Sequence, residues 1–559
     1  MADGSEVATA LLLTALYVAT ITVCLVVQAA QRRHHPALEG DEEMQTGHKN
    51  SATSIESTPR FLPRDISWDT GTILAGLKYI VGICLVLAYA WACDRSGTSL
   101  GLENRSKRFE PAVAVCATLV VLCAYLGTFE PQPRRAGFLG SAQTDEWKGW
   151  MQIFLVFYHY LFPSPQPLAV YVAARIVVAS FLFMTGYGRT MSAITSAARA
   201  SSPAAVSFSF FTFCSMMIRL NLFVVLLAGV MGRQFCDYYF SPLVTFWSLF
   251  FYALHTLGSN YSATVRIGLA AVVCALLSLN GARRAEGFSF ARLLFQPVAF
   301  LVSSPATSFD TWLFRSQLDC FSPLLGAVVA LYSDGINAFF DGLHAPLVHA
   351  PRRGVMMKSL KVGAVLCAVC VVLSCWLGLV YLTQVNASHA ASTCIANKGC
   401  RQYGQCAQAA DVLGCVASRK AQEDYNYKYH AVLSAIPVLC FVTIRNLTPW
   451  LRERASSLIA FWGQRSLEIY LLQYHVWLSR NASKILVVIP DAPLLNACVV
   501  FAGFLAASDV AHRCTSGLAG LLLTRRFELP GSTALWTGLV CVAYAVLAVR
   551  AYVLAEIPK

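Results

Sequence analysis

The stretch VGAVLCAVCVVLSCWLGLVYL, residues 362–382, decides the fold class, because it carries no charge and reaches the roughly 20 residues that a membrane-spanning helix needs. Similar apolar runs occupy residues 11–27, 81–93 and 112–127. The chain of 559 residues is 56% hydrophobic and only 13% charged, about half the charged fraction of an ordinary soluble domain. Because the runs are continuous rather than alternating, they predict helices. The predicted fold class is all-α, a polytopic transmembrane helix bundle.

The net charge of +13 does not indicate a nucleic-acid partner, because the basic residues stand in short clusters between apolar runs. Such clusters are typical of cytosolic loops under the positive-inside rule, and no basic groove interleaved with aromatic residues is visible. The clusters are Arg32-Arg33, Arg134-Arg135, Arg283-Arg284, Arg352-Arg353, Arg452 with Arg454, and Arg525-Arg526. We expect membrane lipid as the surroundings and no nucleic acid as a partner.

The apolar runs predict about 12 to 15 spans in total, among them residues 240–257, 456–478 and 484–508. We interpret the first run as a span rather than a signal peptide, because Asp3 and Glu6 precede it and Arg32-Arg33 follows it. Prolines interrupt residues 283–350, where one segment is expected to be re-entrant or interfacial. The predicted parts of the chain are a first span (1–30), a flexible cytosolic linker (31–70), accessory spans (71–139), the main membrane domain (140–510), and a cytosolic segment with the last span (511–559).

The longest polar segment inside the bundle, residues 384–429, is predicted to be a lumenal, cysteine-rich loop, because basic clusters flank the spans on either side of it. It contains Cys394, Cys400, Cys406 and Cys415, which suggest two disulfides with three possible pairings. The alternative is free thiols in a cytosolic loop. Asn386 and Asn481 begin two sequons and are candidate glycosylation sites.

Two apolar stretches carry polar stripes. In TDEWKGWMQIFLVFYHY, residues 144–160, helical spacing places Lys148, Gln152 and His159 within about 40° of one another, with Asp145 close by. The cytosolic Arg134-Arg135 cluster predicts that this helix runs from the cytosol to the lumen.

The second stripe lies in GQRSLEIYLLQYHVW, where Gln464, Glu468 and His475 share a face. Arg175 and Arg219 form a weaker third set. Ionisable residues at membrane depth are costly and face the bundle interior or a wet cavity. One interpretation is structural, for example a Glu468–Arg175 pair that locks helices together. Two histidines on such stripes favour a site that abstracts protons, because imidazole titrates near pH 6.5.

Six blocks in these regions resemble the Cas1p-type multi-pass acyltransferase domain of fungal capsule O-acetylation proteins, plant reduced wall acetylation proteins and the animal sialate O-acetyltransferase. The blocks stand in the family's order and cover roughly residues 140–510. They are TDEWKGWMQIFLVFYHY (144–160), RIVVASFLFMTGYG (175–188), FRSQLD (314–319), DYNYKYHAVLSAIP (424–437), IRNLTPWLRERASSLIAFWGQRSLEIYLLQYHVWL (444–478) and ILVVIPDAPLLN (485–496).

The resemblance implies transfer of acetyl groups from cytosolic acetyl-CoA to glycan hydroxyls in the Golgi lumen, with no metal. LVFYH and FLFMTGYG are also similar to the paired motifs of bacterial acyltransferase-3 proteins, which implies an acyltransferase-3-like core. His159 then stands at the catalytic histidine, and Lys148 stands where that family usually has arginine. Fungal and animal members carry a lumenal SGNH-type domain with a GDS serine, and this chain has no GDS. It is organised like the plant proteins, so a separate lumenal SGNH-type acetyltransferase is a possible partner.

The resemblance and the stripes together define the candidate site residues. The catalytic candidates are His159, His475 and Glu468. His159 would act either as a general base on a hydroxyl or as a transient acetyl carrier, and His475 with Glu468 is the candidate acceptor-side pair. The candidates for binding acetyl-CoA or the acceptor are Asp145, Glu146, Trp147, Lys148, Gln152, Tyr158, Arg175, Arg219, Arg315, Gln464 and Gln473. Two other hypotheses stay open, a transporter of acetyl-CoA or acetyl groups and a structural subunit of a lumenal enzyme.

Overall fold

The computed structural model describes residues 70–95, 102–132, 137–199, 204–281, 290–301, 306–344, 351–396, 401–406 and 411–522. The predicted first span, the linker up to residue 69, and the last span lie outside the described residues. In chain order the helices are α1 (Thr70–Asp94), α2 (Pro111–Gly127), α3 (Ser141–Leu161), α4 (Leu168–Arg199), α5 (Ala204–Met231), α6 (Phe240–Leu257), α7 (Ala263–Gly281), α8 (Phe290–Leu301), α9 (Ala306–Leu318), α10 (Phe321–Leu331), α11 (Ser333–His344), α12 (Pro351–Ala396), α13 (Val412–Tyr425), α14 (Ala431–Leu433), α15 (Ala435–Asn446), α16 (Pro449–Arg452), α17 (Ser457–Gln464), α18 (Ser466–Leu472) and α19 (Pro493–Leu522).

The predicted all-α, multi-pass helix bundle is confirmed. In the described part of the chain, six helices are long and apolar enough to cross a membrane, or up to eight if each of two bent helix pairs forms one span. The six are α1, α4, α5, α6, α12 and α19. The bent pairs are residues 312–331 with 333–343, and 412–433 with 435–446. The described residues therefore hold fewer full-length spans than the predicted 12 to 15, partly because the predicted spans 456–478 and 484–508 are not single helices.

Two small antiparallel sheets lie at opposite ends of α2. Before α2, β1 (Glu103–Ser106) pairs with β5 (Lys484–Val487), which also pairs with β4 (Leu478–Ser479). After α2, β2 (Phe129–Pro131) pairs with β3 (Arg454–Ser456). Since α2 has 17 residues, the two sheets lie about 25 Å apart, close to the thickness of a bilayer core. The segment between β3 and β4, predicted as one span, runs between the sheets as α17, α18 and a π-helical turn.

Helices α3 and α17 approach each other closely because two glycines face the opposite backbone. A Cβ atom added to Gly149 would lie 2.0 Å from the carbonyl oxygen of Ile459, and one added to Gly463 would lie 1.7 Å from that of Asp145. Real Cβ atoms do not come this close to backbone oxygens, so only glycine allows this packing. The contact aligns the two segments that carry the predicted polar stripes.

We expect Gly463→Val to destabilise the detergent-solubilised protein by at least about 3 kcal/mol, because the backbone of α3 cannot yield as a flexible side chain would. The measurement is the thermal unfolding midpoint. Gly268→Val is the matched control, because Gly268 also lies within a helix and an added Cβ meets nothing within 4 Å. An unfolding midpoint for Gly463→Val equal to that of the control would contradict the close approach.

The segment 384–429 is largely helical, so its description as a loop is wrong. Helix α12 continues to Ala396, a 3₁₀ turn spans Arg401–Cys406, and α13 begins at Val412. The residues that follow the apolar run include several alanines and no proline, which lets the helix continue. Its 46 residues give α12 a length of about 69 Å, more than twice a bilayer core.

The structure places the predicted cysteines and sequons as follows. Cys406 and Cys415 form a disulfide, and Cys394 is also disulfide-bonded. Cys400 lies outside the described residues. Asn386 is exposed on α12, whereas Asn481 lies in a tight turn with φ of +52°. The lumenal side of this region and both glycosylation sites stay predictions.

Candidate active site

The two segments that carry the predicted polar stripes run in parallel and pack against each other. At one end, Gln464 Nε2 lies 3.4 Å from Asp145 Oδ2. In the middle, Gln152 Nε2 donates to the carbonyl oxygen of Ser466 at 2.9 Å. At the other end, the His159 ring lies 5.7 Å from the Tyr474 ring, measured between centroids. These contacts define a Lys148 end of the bundle, predicted to be cytosolic, and a His159 end, predicted to be lumenal.

At the Lys148 end, the basic group is already paired. Lys148 Nζ lies 2.7 Å from Asp145 Oδ1, and both side chains are partly exposed. Lys148 and His159 are eleven residues apart, so they lie about 16 Å from each other along α3. The structure therefore does not bring Lys148 to the histidine.

Two neighbours of Lys148 have structural contacts. The buried Glu146 pairs with Arg445 at 2.7 Å, and Arg445 also donates to the carbonyl oxygen of Arg454. Trp147 is buried against Phe183 and Phe441. Neither residue lies beside His159, because both are at the opposite end of α3.

His159 has no hydrogen-bond partner among the described residues, and this distinguishes it from the other histidines of the bundle interior. Its ring contacts are Tyr158, with centroids 4.8 Å apart, and Tyr474. His159 and Tyr474 both retain some accessible surface although they lie inside the bundle. Both ring nitrogens of His159 are thus available to a ligand.

Two cations act electrostatically on the His159 ring, Lys107 and Arg315. Arg315 lies over the ring of Tyr239, with its guanidinium carbon 4.3 Å from the centroid. Lys107 lies in the segment after β1, and the Phe109–Phe162 ring contact at 5.6 Å holds that segment against the end of α3. Burial lowers the pKa of Lys107 to about 8. Within the described residues, neither cation forms a salt bridge, so their charges remain available to a developing oxyanion.

His475 does not pair with Glu468, so the predicted pairing is wrong. Its Nδ1 lies 3.0 Å from Asp94 Oδ1, and its Nε2 lies 2.6 Å from the Tyr238 hydroxyl. Asp94 also accepts the backbone N–H of Asn481 at 2.8 Å. The fully buried imidazole is therefore held on both nitrogens, between the end of α1 and the turn before α6.

Glu468 belongs to a separate ion cluster. Its Oε1 lies 2.6 Å from Arg219 Nη2, and its Oε2 lies 3.5 Å from His512 Nδ1. Arg219 Nε donates to the Ser516 hydroxyl at 2.8 Å. The cluster ties α5, α18 and α19 together. The fully buried carboxylate has its charge balanced there, away from both stripe histidines.

Arg175 pairs with Asp319 rather than with Glu468, so the suggested Glu468–Arg175 lock is wrong. Asp319 Oδ2 accepts from Arg175 Nη2, and Asp319 Oδ1 lies 2.6 Å from His430 Nε2. All three side chains are buried. Arg175 also acts electrostatically on Tyr158, the residue before His159.

The histidines His430 and His475 both lie on π-helical turns. His430 ends the turn Asn426–His430, and His475 lies within Gln473–Trp477. Such turns are rare and often occur at functional sites. Gln473 is fully buried, and neither its amide nitrogen nor its amide oxygen has a hydrogen-bond partner in the described part of the chain.

The site includes residues that the stripe analysis did not identify: Asp94, Lys107, Tyr238, Asp319 and His430. Two of them stood inside recognised blocks, Asp319 at the end of FRSQLD and His430 in DYNYKYH. The other three carried no local signal, because their partners are far away in the sequence.

The fold and the site together define a multi-pass helical membrane protein with a histidine-centred polar site between its helices. Residues 4–398 and 409–529 match the model of the 10 TM acyl transferase domain found in Cas1p, and the chain belongs to that family. The resemblance stated from the sequence blocks is thereby confirmed.

One curated relative is the N-acetylneuraminate (7)9-O-acetyltransferase of Danio rerio, to which the chain is 27% identical over 457 residues. The match covers 79% of this chain and 50% of the relative, so the chain spans about half the length of that protein. No solved structure matches the chain significantly.

Proposed function

We propose that the protein is a Golgi membrane O-acetyltransferase that moves acetyl from cytosolic acetyl-CoA to hydroxyls of lumenal glycans. The observation that carries the proposal is His159, whose ring nitrogens have no hydrogen-bond partner in the described structure and whose ring contacts two tyrosines and is influenced electrostatically by two cations. Family membership and the relative's name support the reaction class. A separate lumenal SGNH-type acetyltransferase is part of the proposal as a possible final acceptor of the acetyl group.

The charges at the His159 end are better placed to bind the thioester of acetyl-CoA than Lys148 is to bind its phosphates. Lys107 and Arg315 are free of carboxylate partners within the described residues, whereas Lys148 is paired with Asp145. Acetyl-CoA would supply the activated acetyl group, with its long arm running between the stripes. His159 would then pass the proton of an attacking acceptor hydroxyl to the departing CoA thiolate, or would carry the acetyl group on a ring nitrogen while its ring proton goes to that thiolate. The two cations would stabilise the oxyanion of the tetrahedral intermediate.

The second candidate function is transport of acetyl-CoA or of acetyl groups. Contacts between the two segments at three levels, two polar and one between the His159 and Tyr474 rings, favour it, because a path of this kind could also conduct a solute.

Purified protein in sealed vesicles separates the two functions. Acetyl-CoA labelled in both the acetyl group and the adenine is supplied outside, and N-acetylneuraminate is enclosed inside. The enzyme predicts an acetyl ester inside, with the adenine label left outside. Uptake of both labels without an ester would favour transport and overturn the enzymatic proposal.

Lys107 predicts an alkaline limit for the reaction. The amine is charged below its pKa of about 8 and neutral above it, so transfer should fall as pH rises through that value. Lys107→Arg should extend activity to higher pH, because guanidinium stays charged. Lys107→Met should lower transfer about 10²-fold at pH 7.

The measurement is initial acetyl transfer between pH 6.5 and 9.5. Lys428→Arg is the control, because Lys428 is exposed and paired with Asp424. The same alkaline limit in wild type and Lys107→Arg would assign that limit to another group.

A further inference from the structure

A second buried polar site surrounds Asp319. His430 Nε2 donates to one carboxylate oxygen at 2.6 Å, and Arg175 Nη2 donates to the other. The three side chains are at most 4% exposed. Asn426 begins the π-helical turn that ends at His430, and its Nδ2 donates to the Tyr171 hydroxyl at 2.7 Å.

Four polar atoms of this site have no hydrogen-bond partner within the described residues. They are Arg175 Nε and Nη1, His430 Nδ1 and Asn426 Oδ1. An unsatisfied buried donor or acceptor is costly, and native proteins rarely leave several together. The four atoms belong to three side chains that Asp319 and Tyr171 link to one another, so a polar ligand bound to them would complete the site.

The chemistry of the four atoms restricts the ligand. Asp319 accepts a hydrogen bond from His430 Nε2–H, so Nδ1 of a neutral ring is an acceptor. The site then offers two donors from Arg175 and two acceptors, one from His430 and one from Asn426. A carboxylate or phosphate would leave both acceptors unsatisfied, and an ammonium group would leave both donors unsatisfied. Hydroxyl groups both donate and accept, so a polyhydroxylated ligand satisfies all four atoms.

The site lies at the His159 end of the bundle. His159 stands two residues before the end of α3, and Arg175 lies two turns into α4, so the short connection 162–167 keeps them at the same end. Tyr158 lies within electrostatic range of both Arg175 and Arg315. Gln422, on the helix before the π turn, donates to the carbonyl oxygen of Gln166 in that connection at 2.7 Å.

We propose that Arg175, His430 and Asn426, organised by Asp319, bind the hydroxyl groups of a sugar acceptor beside His159. The inference rests on the proposed function for the identity of the acceptor. Asp319 positions the His430 ring and the Arg175 guanidinium in this site. Arg175, His430 and Asn426 touch the sugar.

His430→Gln is the central variant, because the glutamine amide can still donate to Asp319 from the position of Nε2 while the Nδ1 acceptor is lost. Asn426→Ala removes the second acceptor independently. We expect each variant to weaken binding of N-acetylneuraminate about tenfold. Binding is measured without acetyl-CoA, from the saturable rise of the unfolding midpoint of the full chain in detergent.

Acetyl transfer supplies a second readout, since both variants should raise KM for the sugar while KM for acetyl-CoA stays unchanged. His255→Gln is the control, because His255 is bound on both ring nitrogens by Thr190 and Arg266. Equal sugar affinity in wild type and both variants would mean that only ordered water bonds to the four atoms, and it would overturn the proposal. So would the absence of saturable sugar binding to the wild type. Sugar binding without acetyl transfer by the wild type would instead reject the proposed function and leave this site standing.

Discussion

His159→Asn is expected to lower acetyl transfer by about 10²- to 10⁴-fold, the range that a general base contributes. The loss should fall on the chemical step, because an amide can neither take a proton at neutral pH nor carry an acetyl group. The fold should survive, since within the described residues the ring makes only aromatic contacts. The measurement is acetyl transfer per folded molecule in vesicles, with folding checked from the unfolding midpoint.

The control for His159→Asn is His255→Asn, which removes a histidine at the C-terminal end of α6. This variant should retain transfer even if it lowers the unfolding midpoint, because the wild-type His255 ring binds Thr190 and Arg266 rather than a residue of the candidate site. Wild-type transfer by a well-folded His159→Asn protein would remove His159 from the mechanism. Normal sugar binding by the same variant would show that only the chemistry was lost.

Removal of one partner from the Glu468–Arg219 pair is expected to cost about 3–5 kcal/mol, because it leaves the other, largely buried charge without its main partner. Glu468→Leu would leave Arg219 facing His512, and Arg219→Met would leave a fully buried carboxylate. The double variant Arg219→Met with Glu468→Leu should recover most of the loss, since apolar residues of similar volume often replace a buried ion pair without cost. The measurement is a double-mutant cycle of unfolding midpoints.

The same cycle decides whether Glu468 is catalytic. We expect the folded double variant to transfer acetyl at a rate within about tenfold of wild type, because Glu468 binds Arg219 and His512 rather than either stripe histidine. Loss of transfer by a stable double variant would contradict that structural role and return Glu468 to the catalytic candidates. The Arg292–Asp310 pair is the exposed control, and its removal should change stability by less than about 1 kcal/mol.

The fold class and several helices could be predicted because uninterrupted apolar runs are a local property of the chain. The predicted span 240–257 coincides with α6, whereas 456–478 was predicted as one helix and is broken into α17, α18 and a π turn. The break depends on packing against α3, where Gly463 meets Asp145. Hydropathy reports the composition of such a segment but not the tertiary contact that shapes it.

The candidate site was predictable only in part for a similar reason. Helical spacing identified two segments that do pack against each other in the structure, but the second stripe does not form one face, since Glu468 and His475 bind different helices. It could not identify their partners, because Asp94 and His475 are separated by 381 positions and Tyr238 and His475 by 237. Composition and periodicity describe one helix at a time, whereas ion pairs such as Glu468–Arg219 depend on which helices become neighbours.

In the π turns that hold His430 and His475, the number of residues matters as much as their identities. Each turn accommodates one more residue than an ordinary helical turn. Deletion of a single residue from either turn would restore a regular helix and would change the directions of the side chains within the turn. Tyr429-His430 and Tyr474-His475 could then remain unchanged in sequence while their imidazoles pointed away from Asp319 and Asp94. Any redesign or comparison of these segments therefore has to count residues across the two turns before it compares their identities.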